Sequence, residues 1–255
     1  MPLWETKKVL ITVRTYPSPA QKGVEVSCTA GITEDREWIR LFPVPYRLMS
    51  YEQRFKKYQW IQLNVTKASD HRAESYKPDL DSIQIVGEVP PGKNKWAERK
   101  EIIYPLRAHC LCCLKEARKK DKVPTLGIFR PKVIHRLLIE DDEPEWTTDQ
   151  VAKLKQQNMF DVTPAQELEK VPYRFKYEFE CDHDGCPGHT LSCTDWEIYQ
   201  SYRQWTERYG DDWEEKFRQK FETDMIEKNE TNFYVGTMHG YPGTWIIVGL
   251  FYPRL

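Results

Sequence analysis

Apolar positions in the first third of the chain recur mostly with period two, interrupted by short polar turns. Residues 8–15 (KVLITVRT) form a run rich in Val, Ile and Thr, and YPSPAQKG after it carries turn residues. VEVSCTAGIT, the charged turn EDRE and WIRLFPV predict a hairpin. WIQLNVT (60–66) and SIQIVGEV (82–89) predict two further strands, with a short helical stretch near 51–58. Short strands joined by polar turns predict a small β-barrel, of OB-like or PUA-like type.

Further along, the period changes. Residues 95–121 carry a helical pattern with a break at Pro105. TLGIF and VIHRLLIE return to strand, the acidic turn EDDEPE follows, and a polar helix is predicted over 147–157 with Thr147, Thr148 and Asp149 as capping residues. YRFKYEFE (173–180) alternates ring and charge as a half-buried strand does, and a strand is predicted at 189–194. Two helices, 195–209 and 211–228, are split at Gly210, and the last segment reads as a hairpin turning at Gly240–Gly243. The expected fold class is therefore α+β: an N-terminal OB-like barrel with helical insertions over 1–140, a linker and helix over 141–165, and a zinc-stabilised α+β half over 166–255.

Composition narrows the class. The 255 residues hold 38 Lys+Arg against 39 Asp+Glu, a net charge of −1, which argues against a general polyanion binder while leaving local patches open. With 40% hydrophobic and 13% aromatic residues the chain has enough apolar surface to fold. No apolar run approaches the roughly 20 residues that span a bilayer, and the N-terminus lacks an apolar signal core, so the default location is the cytoplasm. In a reducing compartment, bunched cysteines beside histidines read as metal ligands before disulfides.

The segment CDHDGCPGHTLSC carries Cys181, His183, Cys186, His189 and Cys193. Thiolate and imidazole are the ligands of tetrahedral zinc, and a turn with Gly and Pro lets ligands from one short segment converge. Cys181, Cys186 and His189 form the backbone of the expected set. Cys193 supplies the fourth ligand in preference to His183, since residues four apart on a strand share a face. Four protein ligands make a closed, structural site. A second cluster, His109, Cys110, Cys112 and Cys113, lies in a predicted amphipathic helix, where cysteine reads as a small core residue, with a second metal or redox site as the alternative.

In the barrel, Arg14, Arg40, Arg47, Lys56 and Lys57 accompany Trp38 and other rings, a combination suited to single-stranded DNA or RNA because cations meet phosphates and rings stack on bases. The competing reading makes the rings core and the cations a solvated rim. Within CTAGITEDREWIRLFPVP, the residues Cys28, Ala30, Gly31, Trp38, Ile39, Arg40 and Pro43 resemble a pattern in bacterial proteins described as containing dual OB-type domains. The resemblance covers under twenty residues, implies a barrel and nucleic-acid binding, and supplies no catalytic residue. The basic end of 99–122 (RKKDK) offers further phosphate contacts, or a solvated helix terminus favoured by the macrodipole.

Toward the C-terminus, Tyr199, Tyr202, Trp205 and Tyr209, then Trp213, Phe217, Phe221 and Met225, form apolar helix stripes. The outer faces are acidic: residues 195–230 hold eleven Asp/Glu against six Lys/Arg, a surface that repels phosphate and suits a protein partner. The leading expectation is a nucleic-acid-binding accessory protein of prokaryotic type, serving nucleic-acid processing or defence. One alternative is a metal-dependent phosphodiester hydrolase using Asp195 and Glu197. The other is an interaction scaffold docking through the acidic helices.

Overall fold

The computed structural model describes residues 3–20, 25–70, 72–155 and 168–255. Strands β1 (Glu5–Arg14), β2 (Ser18–Pro19), β3 (Glu25–Thr33), β4 (Trp38–Val44), β5 (Trp60–Lys67), β6 (Ser75–Pro78) and β7 (Gln84–Ile85) make the first sheet. Five of them close into a barrel in the order β1-β3-β4-β6-β5 and back to β1, with β4 and β6 parallel and the other pairs antiparallel. The alternation in β5 places Ile61, Leu63 and Val65 inside the barrel with Val9, Ile11, Ile39 and Leu41. The fifth barrel strand is β6. The segment 82–89, expected as a full strand, pairs with β5 only at Gln84 and Ile85.

Helices α1 (Ala97–Ile103) and α2 (Leu111–Asp121) lead out of the barrel. Strands β8 (Leu126–Phe129) and β9 (Val133–Asp141), then helix α3 (Thr148–Lys155), follow. Next come β10 (Tyr173–Glu180), β11 (His189–Cys193) and helices α4 (Trp196–Tyr209), α5 (Trp213–Arg218) and α6 (Asp224–Glu227). Strands β12 (Asn232–Thr237) and β13 (Trp245–Phe251) close the chain. The second sheet runs β8-β12-β13-β11-β10-β9. Leu126–Phe129 and Val133–Asp141, grouped on sequence with the barrel, are thus strands of the second sheet: β8 adds to β12 and β9 to β10. Much of the expected 141–165 linker falls outside the described residues.

The two sheets share a core. Strand β1 is buried from Val9 to Val13 because its two faces serve two cores: Val9 and Ile11 point into the barrel, Leu10 and Val13 outward. The outward pair packs with Tyr58, Leu126, Ile128, Tyr234, Val248 and Phe251. On the opposite face of the second sheet, Phe175, Tyr177, Phe179 and Phe233 meet the helices through Leu111, Leu114, Ile198, Tyr202, Phe217 and Phe221. The predicted aromatic stripes of α4 to α6 supply this layer. Among the described residues, no helix is long and apolar enough to cross a membrane.

Candidate metal centre and basic grooves

Two glycines shape the turn between β10 and β11. Gly185 and Gly188 have φ of +73° and +74°, a region costly for other residues, and the Cys186 N–H closes the turn on the His183 carbonyl at 3.1 Å. This brings Cys181, Cys186 and His189 together, and α2 lays Cys112 against them. The four ligand atoms lie within 4.8 Å of one another. Cys112 Sγ is 3.3 Å from His189 Nε2 and 3.8 Å from Cys186 Sγ, and Cys186 Sγ is 3.5 Å from the same nitrogen. Ligands at about 2.3 Å (sulfur) and 2.0–2.1 Å (nitrogen) around a tetrahedral ion sit about 3.8 Å apart sulfur to sulfur and about 3.5 Å sulfur to nitrogen. The donor set and its spacing fit a metal ion.

Protonation of the four groups agrees with such a role. Burial, then the nearby Lys115, lowers His189 to about 4, so the ring is neutral at pH 7. Burial, then Cys181 and Cys186, pushes the Cys112 thiol up to about 12. Burial opposes ionisation of Cys186 as well, but the backbone N–H groups of Cys181 and Gly188 outweigh it and lower the thiol. Burial raises the Cys181 thiol as it does Cys112, and a bound cation would supply the opposite charge that lets such thiols ionise.

The fourth member of the group is not the expected Cys193. Cys193 shares a strand face with His189, but four residues of strand span about 13 Å at 3.3 Å per residue, too far to share an ion. Cys193 is instead fully buried in the helix-facing core, where burial, then Asp195, raises its thiol. His183 also stands aside, with Nε2 3.5 Å from Glu116. Cys112, read on sequence as core packing, completes the group of four that could hold a metal ion. Its neighbours Cys110 and Cys113 form a separate pair with sulfurs 2.7 Å apart.

Most of the barrel residues expected to meet nucleic acid are engaged within the molecule. Arg14 is sandwiched, its guanidinium carbon 3.7 Å from the Tyr46 ring centre and 4.4 Å from that of Trp196. Arg40 is buried and donates to the Thr125 carbonyl at 3.0 Å. Trp38 packs edge-on to Tyr234. Arg47 pairs with Glu25 at 2.7 Å. Lys57 reaches Asp195 at 3.0 Å and the Leu250 carbonyl at 2.9 Å. Lys56 alone of the six is exposed. For Arg14, Trp38, Arg40 and Lys57 the cause is the C-terminal part of the chain, which supplies Trp196, Tyr234, Thr125 and Asp195 as partners at the seam; Arg47 pairs within the barrel.

Asp195 and Glu197 face a cavity of about 360 Å³ at this seam, beside Arg14, Lys57 and Lys220. Asp195 caps α4, accepting the Glu197 N–H at 2.7 Å on Oδ1, while Oδ2 accepts Lys57 and the Leu250 N–H at 2.9 Å. Glu197 accepts from Lys220 at 3.1 Å and from the Tyr252 hydroxyl. Asp195 is thus held by a lysine and backbone N–H groups, and Glu197 by a lysine and a tyrosine hydroxyl.

Cations gather instead around the loop joining β12 to β13. On one side, a groove of about 580 Å³ is lined by Lys115, Arg118, Lys119 and Lys122 of the α2 segment together with Pro242, Gly243 and Trp245, with no carboxylate in its lining. Arg118 Nε ties α2 to the loop through the Pro242 carbonyl at 2.9 Å. On the other side, a groove of about 400 Å³ is lined by Lys67, Arg72, Lys77 and His239 against Asp70, with Phe42 and Tyr76. Tyr241 is 67% exposed, Phe42 46% and Met238 38%. The RKKDK stretch was the sequence signal for the first groove. The loop has no charge pattern that would mark it.

Residues 107–255 match the family model described as Domain of unknown function (DUF8757), and residues 5–105 match a second, Domain of unknown function (DUF8758). The four metal-ligating candidates all lie within the first match. No curated protein matches the chain.

Proposed function

We propose that this chain, which belongs to the DUF8757 family, is a nucleic-acid-binding accessory protein whose α2 helix is fixed by a structural zinc ion at Cys112, Cys181, Cys186 and His189. Three thiolates and one imidazole are a zinc set, and four protein ligands leave no position open for water, which makes the role structural. The observation carrying the reading is the pair of cation-lined grooves flanking the 238–244 loop, with Tyr241, Met238 and Phe42 exposed between and beside them. Single strands bind where cations track the backbone and rings accept bases. Zinc ligation of Cys112 and His189, which faces Lys115 at 3.3 Å, fixes the helix that presents one set of cations. The barrel's closing order, with its single parallel pair, supports an OB-type reading of the first half.

The hydrolase reading draws less support, because Asp195 and Glu197 are occupied by Lys57, Lys220 and backbone N–H groups. The test is a titration of labelled single-stranded DNA and RNA followed by anisotropy. Lys119→Glu combined with Lys122→Glu weakens binding, and Lys56→Glu does not. Equal affinity in all three proteins rejects the assignment of the surface.

A further inference from the structure

The seven cysteines divide into three candidate metal ligands, the buried Cys193, the half-buried Cys28 beside Arg40, and one close pair. Cys110 precedes the first turn of α2 and accepts the backbone N–H of Cys113 on its sulfur at 3.1 Å. The two sulfurs are 2.7 Å apart, inside ordinary non-bonded contact. Cys110 is fully buried, whereas Cys113 is partly exposed. Neither belongs to the group that can hold a metal. A Cys-x-x-Cys pair at a helix start places the two Cβ atoms within reach of a disulfide with little backbone movement.

We propose that Cys110 and Cys113 are a redox-active dithiol that forms a reversible disulfide by exchange with a small anionic disulfide of the glutathione class, while Cys112 stays on the metal. Cys113, the more accessible sulfur, attacks one sulfur of the incoming disulfide through its minor thiolate fraction, since burial and then Cys110 hold its thiol up at about 11; the attack breaks that S–S bond and releases one thiolate. Cys110 then gives its proton to solvent and attacks the Cys113 sulfur, forming the internal disulfide and expelling the second thiolate. Two protein thiols are oxidised and one small disulfide is reduced to two thiols, so the electrons balance. An anionic partner is the one the basic residues near the helix start could meet. Arg107 and His109, with Arg130 and Lys132, line a neighbouring cavity of about 570 Å³ that does not itself include the two cysteines; Glu230 pairs with Arg107 and Arg130, and Asp182 with Lys132. Cys112 projects from the same turn toward Cys186 and His189, so the pair and the metal set use different sulfurs of one short segment.

The experiment equilibrates the full metal-loaded chain in buffers of increasing oxidised-to-reduced glutathione, blocks free thiols by alkylation, and maps the peptides by mass spectrometry with metal content measured in parallel. The expected result is one internal disulfide linking Cys110 to Cys113, the loss of two hydrogens, and unchanged metal content. Cys110→Ser is expected to trap glutathione on Cys113. The inference is overturned if both thiols remain alkylatable in the most oxidising buffer, or if Cys112 enters the disulfide and the metal is released. The wild-type map decides between these outcomes even where the variant does not fold.

Discussion

Cys112 Sγ lies 3.3 Å from His189 Nε2, although the two residues are 77 positions apart in the chain. One comes from a helix following the barrel, the other from the first position of β11. The contact joins α2, which carries Lys115, Arg118 and Lys119, to the far side of the β10–β11 turn, beside the packing of Leu111 and Leu114 in the core.

Asp195 holds the seam between barrel and second sheet. It caps α4, accepts the Leu250 N–H and pairs with a Lys57 that the fold covers. Asp195→Ala takes the paired carboxylate from a largely covered ammonium, which keeps the Leu250 carbonyl and the nearby Glu197, and leaves two N–H groups unpaired. The expected loss is about 3–5 kcal/mol in urea unfolding. A loss below about 1 kcal/mol, the size typical of an exposed pair, contradicts this role.

Gly31 sits where β1 and β3 approach closely. A Cβ there would stand 2.4 Å from the Leu10 carbonyl oxygen and 2.5 Å from Val9 Cγ1. The obstruction is partly backbone, so the strands must separate. Gly31→Ala is expected to cost about 1–3 kcal/mol and to lower the melting temperature. An unchanged melting curve means the strands are not this close.

Acid stability follows from two carboxylates. Burial would raise Asp70, but hydrogen bonds and charge from Arg72 outweigh it and hold the group well below the usual range. Burial likewise opposes Glu230, and Lys100 and Tyr104 outweigh it. A folded-state pKa below the unfolded value stabilises the protein fully above about pH 4 and loses that stabilisation as pH falls through the lower folded value. Urea midpoints are therefore expected to fall with pH below about 4. Arg72→Met, which removes most of the Asp70 contribution, gives a shallower decline. Parallel declines in the two proteins contradict the assignment.

Binding of single strands, if it uses the groove beside α2, carries a defined salt dependence. Each lost phosphate contact reduces the slope of log affinity against log salt by about 0.7. Lys119→Glu with Lys122→Glu is expected to flatten the slope by about twice that amount. An unaltered slope places the phosphates elsewhere.

Much of this fold was legible because local pattern and packing agree. The alternation in WIQLNVT and YRFKYEFE survives as β5 and β10, and the aromatic spacing from Tyr199 to Met225 survives as the helix face that meets the sheet. What local pattern cannot carry was missed. β6 is four residues including a Lys and a Pro, and its place is set by parallel pairing with β4. The segments of β8 and β9 look like any short strands, and only partners distant in sequence put them in the second sheet. Cys112 sits in a helix among Leu111, Cys113 and Leu114, where a ligand and a core cysteine look alike. Spacing within 181–193 pointed to Cys193, because a shared strand face was counted and the distance along the strand was not. Arg14, Arg40 and Lys57 beside rings resembled a binding surface because sequence does not show which barrel face a second sheet will cover.

The most direct test is the zinc content of purified wild type, Cys112→Ser and Cys193→Ser, measured by mass spectrometry of the metal. The expected result is one ion per chain in wild type and in Cys193→Ser, with at least a tenfold weaker hold on the ion in Cys112→Ser. Retention by Cys112→Ser together with loss from Cys193→Ser would return the fourth ligand to the strand and remove the link between the metal and the basic helix.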